Sequence, residues 1–333
     1  MENKRIHWGI IGCGDVTEKK SGPAFYTLPN TALTAVMRRD GVKAADYAKR
    51  HHVQKWYDNA SSLINDPEVE AVYIATPPDC HAQLTIEALK KGKPVYVEKP
   101  MALNYGQCIK MIEASALYKT PLYVAYYRRE QPYFLKVKEL LQNQAIGQVK
   151  HVSLSLIRTP LPDDYNKEKP WRLDVNKAGG GYFADMGSHQ LDMLLFLFGP
   201  ISSHRSLVLN KGGLYDPEDY VNAIFQFESG VTAQAIWYFA APSPASEDCI
   251  EIIGTKGTLK FSIFDMTPIV VKTETEEQVY DIGKPAIVEA PMIEKVSEEL
   301  LKGQYTAEAL HDAAEVTRLI EEILSPYYNK ATL

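Results

Sequence analysis

Pro94-Val95-Tyr96-Val97-Glu98-Lys99-Pro100 is the stretch from which the rest of the chain is best read. Val95, Tyr96 and Val97 form a short β-branched and aromatic run, the composition of a buried strand. Pro100 cannot donate into a sheet ladder and pushes Lys99 toward an extended conformation, so the strand should stop there. In an open parallel sheet, ligands bind just outside the carboxyl ends of the strands, which is where this lysine would stand. Taken alone, Glu-Lys-Pro reads as a turn with an exposed ion pair. The segments around it reverse that reading.

Upstream, Ile6 to Ile11 reads as a strand, and Gly12-Cys13-Gly14-Asp15-Val16-Thr17 follows at once. Two glycines at this spacing let the backbone turn tightly and approach a pyrophosphate. Thr17 stands where a third Gly or Ala is usual, and Ser21-Gly22-Pro23 should cut the helix short. The next strand, Ala32 to Val36, ends in Met37-Arg38-Arg39-Asp40 rather than directly in a carboxylate. Two guanidinium groups there suit a ribose 2′-phosphate, which favours NADP; NAD stays open if Asp40 reads the ribose hydroxyl. A helix striped by Ala44, Tyr47 and Ala48 comes next, then a buried strand at Ala71 to Ala75. Thr76-Pro77-Pro78 ends that strand, and Cys80, Leu84 and Ala88 stripe the helix after it. Beyond the opening strand, a helix from Tyr105 to Tyr118 uses Ile109, Ile112 and Ala116, and Pro121 to Tyr127 is one more strand. Strands alternating with helices mean a parallel, doubly wound sheet. Four strand ends converge on one edge: Gly12-Gly14, Arg38-Arg39, Thr76-Pro77 and Glu98-Lys99.

With 333 residues the chain can hold two substantial cores, and 45% hydrophobic with 23% charged residues describes an ordered globular protein. The net charge of -6 argues against nucleic acid as the main partner. The apolar run Met193 to Phe198 is too short to span a bilayer, and the opening residues lead directly into a strand, so no membrane and a cytoplasmic location are expected. Cys13, Cys80, Cys108 and Cys249 are widely spaced, which suggests free thiols with neither a metal site nor a disulfide framework.

After about Arg128 the pattern changes. A helix bearing Phe134, Val137, Leu140 and Leu141 leads into the alternating strand Gln148 to Leu156. Further strand-like runs are Tyr220 to Phe227, Val231 to Phe239, Cys249 to Ile253, Thr258 to Ile263 and Ile269 to Thr273, joined by short turns. They imply one large, mainly antiparallel sheet. A last helix uses Leu310, Ala314, Thr317, Ile320 and Leu324. Within this half lies Gly179-Gly180-Gly181-Tyr182-Phe183-Ala184-Asp185-Met186-Gly187-Ser188-His189-Gln190-Leu191-Asp192. A helix from near Phe183 would put Asp185, His189 and Asp192 on one face, with a histidine between two carboxylates whose charge raises its pKa. Alone, such a stripe reads more readily as a surface network or a satisfied core histidine. Pro160 to Pro170 is a polar loop ending in Trp171-Arg172, which either lies on the surface or covers the site.

Together these residues resemble the Gfo/Idh/MocA oxidoreductase family, which includes glucose-fructose oxidoreductase, inositol dehydrogenase and 1,5-anhydrofructose reductase. The likeness runs almost end to end: the glycine turn, Thr76-Pro77-Pro78 with His81, Glu98-Lys99-Pro100, Trp171-Arg172 and the Asp185/His189/Asp192 segment. It implies a Rossmann NAD(P)-binding domain over residues 1–126 and an α+β domain with an open sheet over 127–333, for substrate binding and assembly into a homodimer or homotetramer. By resemblance Lys99 and His189 are the catalytic pair, with Asp185 assisting. Gly12, Gly14, Asp15, Val16, Arg38, Arg39, Thr76, Pro77, His81, Glu98, Lys99, Trp171 and Arg172 would contact the cofactor, and the Lys99-Pro100 bond would be cis. A carbohydrate or polyol substrate would meet Lys99, Tyr127, Trp171, Arg172, Asp185, His189 and Trp237. The expected activity is hydride transfer between nicotinamide C4 and a sugar, polyol or related keto compound. Alternatives are an NAD-dependent glycosidase, a dihydrodiol dehydrogenase of the same fold, and a non-catalytic NADP-sensing regulator.

Overall fold

Six short strands, β1 (Ile6–Ile11), β2 (Thr31–Met37), β3 (Lys55–Tyr57), β4 (Ala71–Ile74), β5 (Val95–Val97) and β6 (Leu122–Val124), pair in parallel in the order β3-β2-β1-β4-β5-β6. This strand order is that of a dinucleotide-binding sheet, which reverses between β1 and β4. β4 and β5 are buried at every residue, as strands covered on both faces must be. The computed structural model describes residues 4–329. They divide into a first unit running to Tyr127 and including Pro285–Thr317, and a second made of Arg128–Lys284 with the chain from Arg318.

The return of Pro285–Thr317 departs from the single boundary expected at residue 126. Its cause is packing: Ile293 and Val296 of the helix Ala290–Lys302 join Trp8, Phe25, Val36, Tyr73 and Tyr96 in one cluster. The Trp8 indole donates to Ser297 Oγ at 3.2 Å, so the only polar atom of that side chain is satisfied there. Each such large side chain contributes roughly 1.5–3 kcal/mol on burial. Aromatic rings continue the core, Trp8 to Phe25 at 5.2 Å, Phe25 to Tyr73 at 5.1 Å, and Tyr73 stacked on Tyr96 at 5.3 Å.

Helix faces are rotated from those expected at two places. In His81–Lys90 the buried residues are His81, Thr85, Ala88 and Leu89, with Cys80 and Leu84 half-buried. In Tyr105–Tyr118 they are Cys108, Met111, Ala114 and Ser115, while Ala116 is exposed. The reason is polar: Ser115 Oγ donates to the Thr120 carbonyl, which turns this small residue inward.

The second unit is built on eight strands, β7 (Val149–Ile157), β8 (Ile201–Leu209), β9 (Tyr220–Phe227), β10 (Thr232–Tyr238), β11 (Glu247–Gly254), β12 (Gly257–Phe261), β13 (Ile269–Thr273) and β14 (Glu277–Tyr280). Their order is β14-β13-β12-β11-β7-β10-β9-β8, antiparallel except where β7 meets β10. Alternation sends Val152, Leu154, Leu156, Ala233, Ala235, Trp237, Val221, Phe225, Ile250 and Ile252 to one buried face. Helices Pro132–Gln142 and Ser188–Phe198 pack there through Phe134 on Phe261 and Phe198 on Phe227. The opposite face stays open and carries the exposed Leu207, Ile224 and Ile253. No helix among the described residues is long and apolar enough to cross a membrane.

Candidate active site

On the first unit the glycine turn follows β1 directly. Gly12 has φ +96°, and a side-chain carbon there would lie 2.8 Å from both the carbonyl carbon and the oxygen of Ala75, so only glycine fits beside the end of β4. Gly14 faces open space, with its own turn's Gly12 carbonyl, 3.9 Å away, the nearest atom to such a carbon. The helix after it, Asp15–Lys19, is one turn long. Thr17 is fully buried and folds its hydroxyl back on the Gly14 carbonyl at 2.8 Å. The Thr17 carbonyl accepts from the Tyr47 hydroxyl at 2.9 Å, and Gly22 passes so near it that a side-chain carbon would lie 1.9 Å away. The departures Thr17 and Ser21-Gly22-Pro23 thus belong together: the helix is cut short so that the chain can pass Thr17.

Arg38 is half-buried, donating from Nη1 to the Cys13 carbonyl at 3.3 Å, so it braces the turn. Arg39 is exposed at the end of β2. Asp40 caps the next helix, Gly41–Arg50, by accepting from the Lys43 amide, which also holds its carboxyl below the ordinary range. Cys13 is buried, and burial pushes its thiol up to about 11. Thr76 follows β4 with its hydroxyl buried and lacking a hydrogen-bond partner. Open space at Gly14 and an unsatisfied hydroxyl at Thr76, on one sheet edge, fit a bound dinucleotide.

His81 was expected to touch the cofactor and is instead wholly buried. Its two ring nitrogens lie 3.0 Å from the Pro100 carbonyl and 2.8 Å from that of Thr76, so it ties the Thr76 turn to the Lys99 turn. Burial pushes its pKa down, although both carbonyls favour the protonated ring. The Lys99-Pro100 peptide is cis.

Behind Lys99 stands a cluster the sequence did not reveal. Glu98 Oε1 accepts from the Tyr73 hydroxyl at 2.6 Å, and Oε2 accepts from the Lys99 amide at 3.1 Å. Tyr73 also lies 3.0 Å from Ser21 Oγ. The Tyr96 hydroxyl donates to Oε2 of Glu289, from the returning segment, at 3.4 Å. Burial, with the Glu98 charge beside it, holds the Glu289 carboxyl well above the ordinary carboxylate range.

On the second unit, Gly181 donates its amide to Glu218 Oε1 at 2.8 Å, and a side-chain carbon at Gly181 would meet the Glu218 carbonyl at 2.7 Å. Burial pushes Glu218 up to about 7. The chain then forms a five-residue π-helical turn, Phe183–Gly187, before the α-helix Ser188–Phe198. Such wide turns re-aim side chains and recur at functional sites. Asp185 lies inside this turn, whereas His189 and Asp192 lie in the α-helix after it. Its Oδ2 accepts from Arg172 Nε at 2.8 Å, and the Arg172 guanidinium lies 4.6 Å over the Trp171 ring. Asp192 is buried against Arg129, with Nη2 to Oδ1 at 2.7 Å. Each carboxylate thus has its own guanidinium. His189 is 6% exposed and meets the Phe264 ring edge to face at 5.7 Å. Trp237, expected at the substrate, is a core residue: fully buried, it packs on Phe183 and donates to Gln190 Oε1 at 2.8 Å. Tyr127 is buried at the start of the turn Tyr127–Glu130. No cluster of three His, Cys, Asp or Glu able to hold a metal occurs among the described residues.

Comparison with known proteins bears on both units. A family model described as "Oxidoreductase family, NAD-binding Rossmann fold" matches residues 6–126, and one described as "GFO/IDH/MocA C-terminal domain" matches residues 134–260. "Oxidoreductase P35" of Formosa agariphila is 38% identical over 95% of this chain and 98% of its own length. The 1,5-anhydro-D-fructose reductase of Ensifer adhaerens is 26% identical over 76% of this chain and 74% of its own. Among solved structures, a levoglucosan dehydrogenase in complex with NADH and levoglucosan superposes with a TM-score of 0.88 over 97% of this chain and 96% of that one, at 20% identity.

Proposed function

We propose that this chain, which belongs to the Gfo/Idh/MocA oxidoreductase family, moves a hydride between nicotinamide C4 and the carbinol carbon of a sugar, polyol or related keto compound, with Lys99 and His189 handling the proton. The observation that carries the reading is Lys99 two residues after β5, on the same sheet edge as the open Gly14 and the unsatisfied Thr76 hydroxyl. The bound nicotinamide supplies the hydride acceptor or donor. His189 accepts or returns the proton at the reacting oxygen. Lys99, as an ammonium, donates a hydrogen bond to the same oxygen and stabilises the charge developing on it. Asp185 and Arg172 hold the segment before His189, while Trp171, Arg172 and Tyr127 border the substrate.

NADP is the proposed cofactor, because Arg38 braces the turn and Arg39 remains exposed for a 2′-phosphate, while Asp40 is engaged in a helix cap. Titration of nicotinamide fluorescence should show tighter binding of NADPH than of NADH. Arg39→Ala should weaken NADPH by about ten- to a hundredfold, the worth of a charge-assisted bond, and leave NADH nearly unchanged. Equal loss for both nucleotides would refute the 2′-phosphate role. A screen over keto-sugars, polyols and a dihydrodiol then tests the reaction. Nucleotide binding without turnover of any would favour a sensing role. The open sheet face, with Leu207, Ile224 and Ile253 exposed, supports assembly into a homodimer or homotetramer.

A further inference from the structure

On β11, Asp248 shares the buried face of the sheet with Ile250 and Ile252, and its side chain is fully buried. A carboxylate in such a place must find donors. It finds three in a row. The Ile263 amide donates to Oδ1 at 3.2 Å, and the amides of Phe264 and Asp265 donate to Oδ2 at 2.6 and 2.9 Å. Successive amides converging on one anion form a concave nest. Arg158 adds a guanidinium 3.6 Å from Asp248 Oδ2 and holds Asp265 at 2.9 Å.

These amides belong to the loop 262–268 between β12 and β13, and the rest of the loop is pinned as firmly. Ser262 Oγ accepts from the Thr267 amide at 2.8 Å across the base, and the Tyr133 hydroxyl donates to the Thr267 carbonyl at 2.7 Å. Lys284 Nζ donates to the Phe264 carbonyl at 2.7 Å. Met266 has φ +49°, a conformation that L side chains rarely adopt and that surrounding contacts must hold in place. What the pinned loop presents is the Phe264 ring. The His189 imidazole meets that ring edge to face at 5.7 Å, and the Arg128 guanidinium lies 4.8 Å from its centroid.

We propose that Phe264 is a positioning residue for His189, and that Asp248 acts through it by fixing the loop. An imidazole carried on a helix can turn about its χ angles, and it handles a proton only while the right nitrogen points at the reacting oxygen. The Phe264 ring restricts that turning, the Arg128 guanidinium restricts the ring, and the Asp248 nest fixes the backbone from which the ring projects. All of these residues lie in the second unit, so the effect falls on the proton step and not on nucleotide binding. The inference rests on the proposed role of His189 in hydride transfer.

Magnetic resonance of the full chain carrying isotope-labelled histidine reads the contact without a substrate. His189→Gln identifies the His189 ring signal by its loss. Phe264→Leu keeps most of the apolar volume and removes the ring current, so the His189 signal should shift and broaden while the other histidines stay in place. Asp248→Asn turns an amino group toward the three amides and should move the same signal. Phe264 is half-buried, so its variants test the role even where Asp248→Asn lowers the melting temperature. With NADPH and the keto-sugar or polyol turned over fastest in the screen, Phe264→Leu should lower kcat about ten- to a hundredfold, the scale for a catalytic group displaced by up to about 1 Å. KM and NADPH affinity should hold, and Phe264→Tyr, which keeps the ring, should retain most of the rate. An unmoved His189 signal in Phe264→Leu overturns the contact, and an unmoved signal in Asp248→Asn overturns the anchor. A Phe264→Leu variant as fast as wild type, or a loss that Phe264→Tyr shares, overturns the positioning role. A His189 signal that answers to Phe264 in a chain that turns over nothing refutes hydride transfer and leaves the contact standing; turnover that His189→Gln abolishes and Phe264→Leu spares does the reverse.

Discussion

Lys99→Met is expected to lower kcat by roughly 10²–10⁴-fold, the range for a positioned proton-handling group, while NADPH still binds. The methionine approximates the apolar stem of the lysine and removes the ammonium. Lys99 is half-buried, and its backbone amide, which the substitution retains, is what Glu98 grips. The loss should therefore appear in kcat and in kcat/KM alike, as it does when an interaction made only in the transition state is removed. Stopped-flow hydride transfer with a saturating nucleotide separates this from a folding defect. If nucleotide affinity and melting temperature fall together with turnover, the lysine is structural and the proposed mechanism is wrong.

Arg129→Met is expected to destabilise the second unit by about 3–5 kcal/mol, because it removes the guanidinium against which the Asp192 carboxylate is buried. The Asp192 side chain is 2% exposed and the Arg129 side chain 13%, and three nitrogen–oxygen contacts of 2.7–3.1 Å join them. Whole-domain stabilities are about 5–15 kcal/mol, so a loss of that size brings the unit near its unfolding threshold. Pairing the change with Asp192→Leu should recover most of the loss, since removing both charges leaves no uncompensated ion. Denaturant melts of the two singles and the double measure the coupling. A double mutant no more stable than Arg129→Met would show that the charge pair is not the cause. A stable double mutant with normal turnover would place Asp192 in the framework rather than beside His189 in the chemistry.

Much of the first unit was legible because its signals are local. Gly12, Pro78 and Pro100 punctuate strands whose buried runs are continuous, and the convergence of their ends follows from a parallel sheet without further information. β3 has three residues and β14 four, too short for any period to register, and β8 mixes Ser, His and Arg into its alternation. Ile293, Val296 and Leu300 form a readable helical stripe, yet nothing in that stripe says which unit it will cover. Glu289 is illegible for the same reason: the burial that raises its carboxyl is made beside Tyr96, nearly two hundred positions away. The π-helical turn at Phe183–Gly187 was not legible, because spacing arguments assume 3.6 residues per turn throughout. Trp237 misled in another way, since a tryptophan on an alternating strand reads alike whether it faces ligand or core until its partner Gln190 is known.

The re-entry of Pro285–Thr317 sets the order in which the molecule can be made. During synthesis a chain leaves the ribosome from its N-terminus at about 5–20 residues per second, and domains commonly fold as they emerge. Here β1 to β6 would appear early, with Trp8 still waiting for Ser297 and with neither Ile293 nor Val296 over it. The nucleotide-binding half is therefore begun first and closed last, after the whole eight-stranded sheet has been translated. A fragment ending at Tyr127 carries every strand of its sheet and is still an unfinished protein.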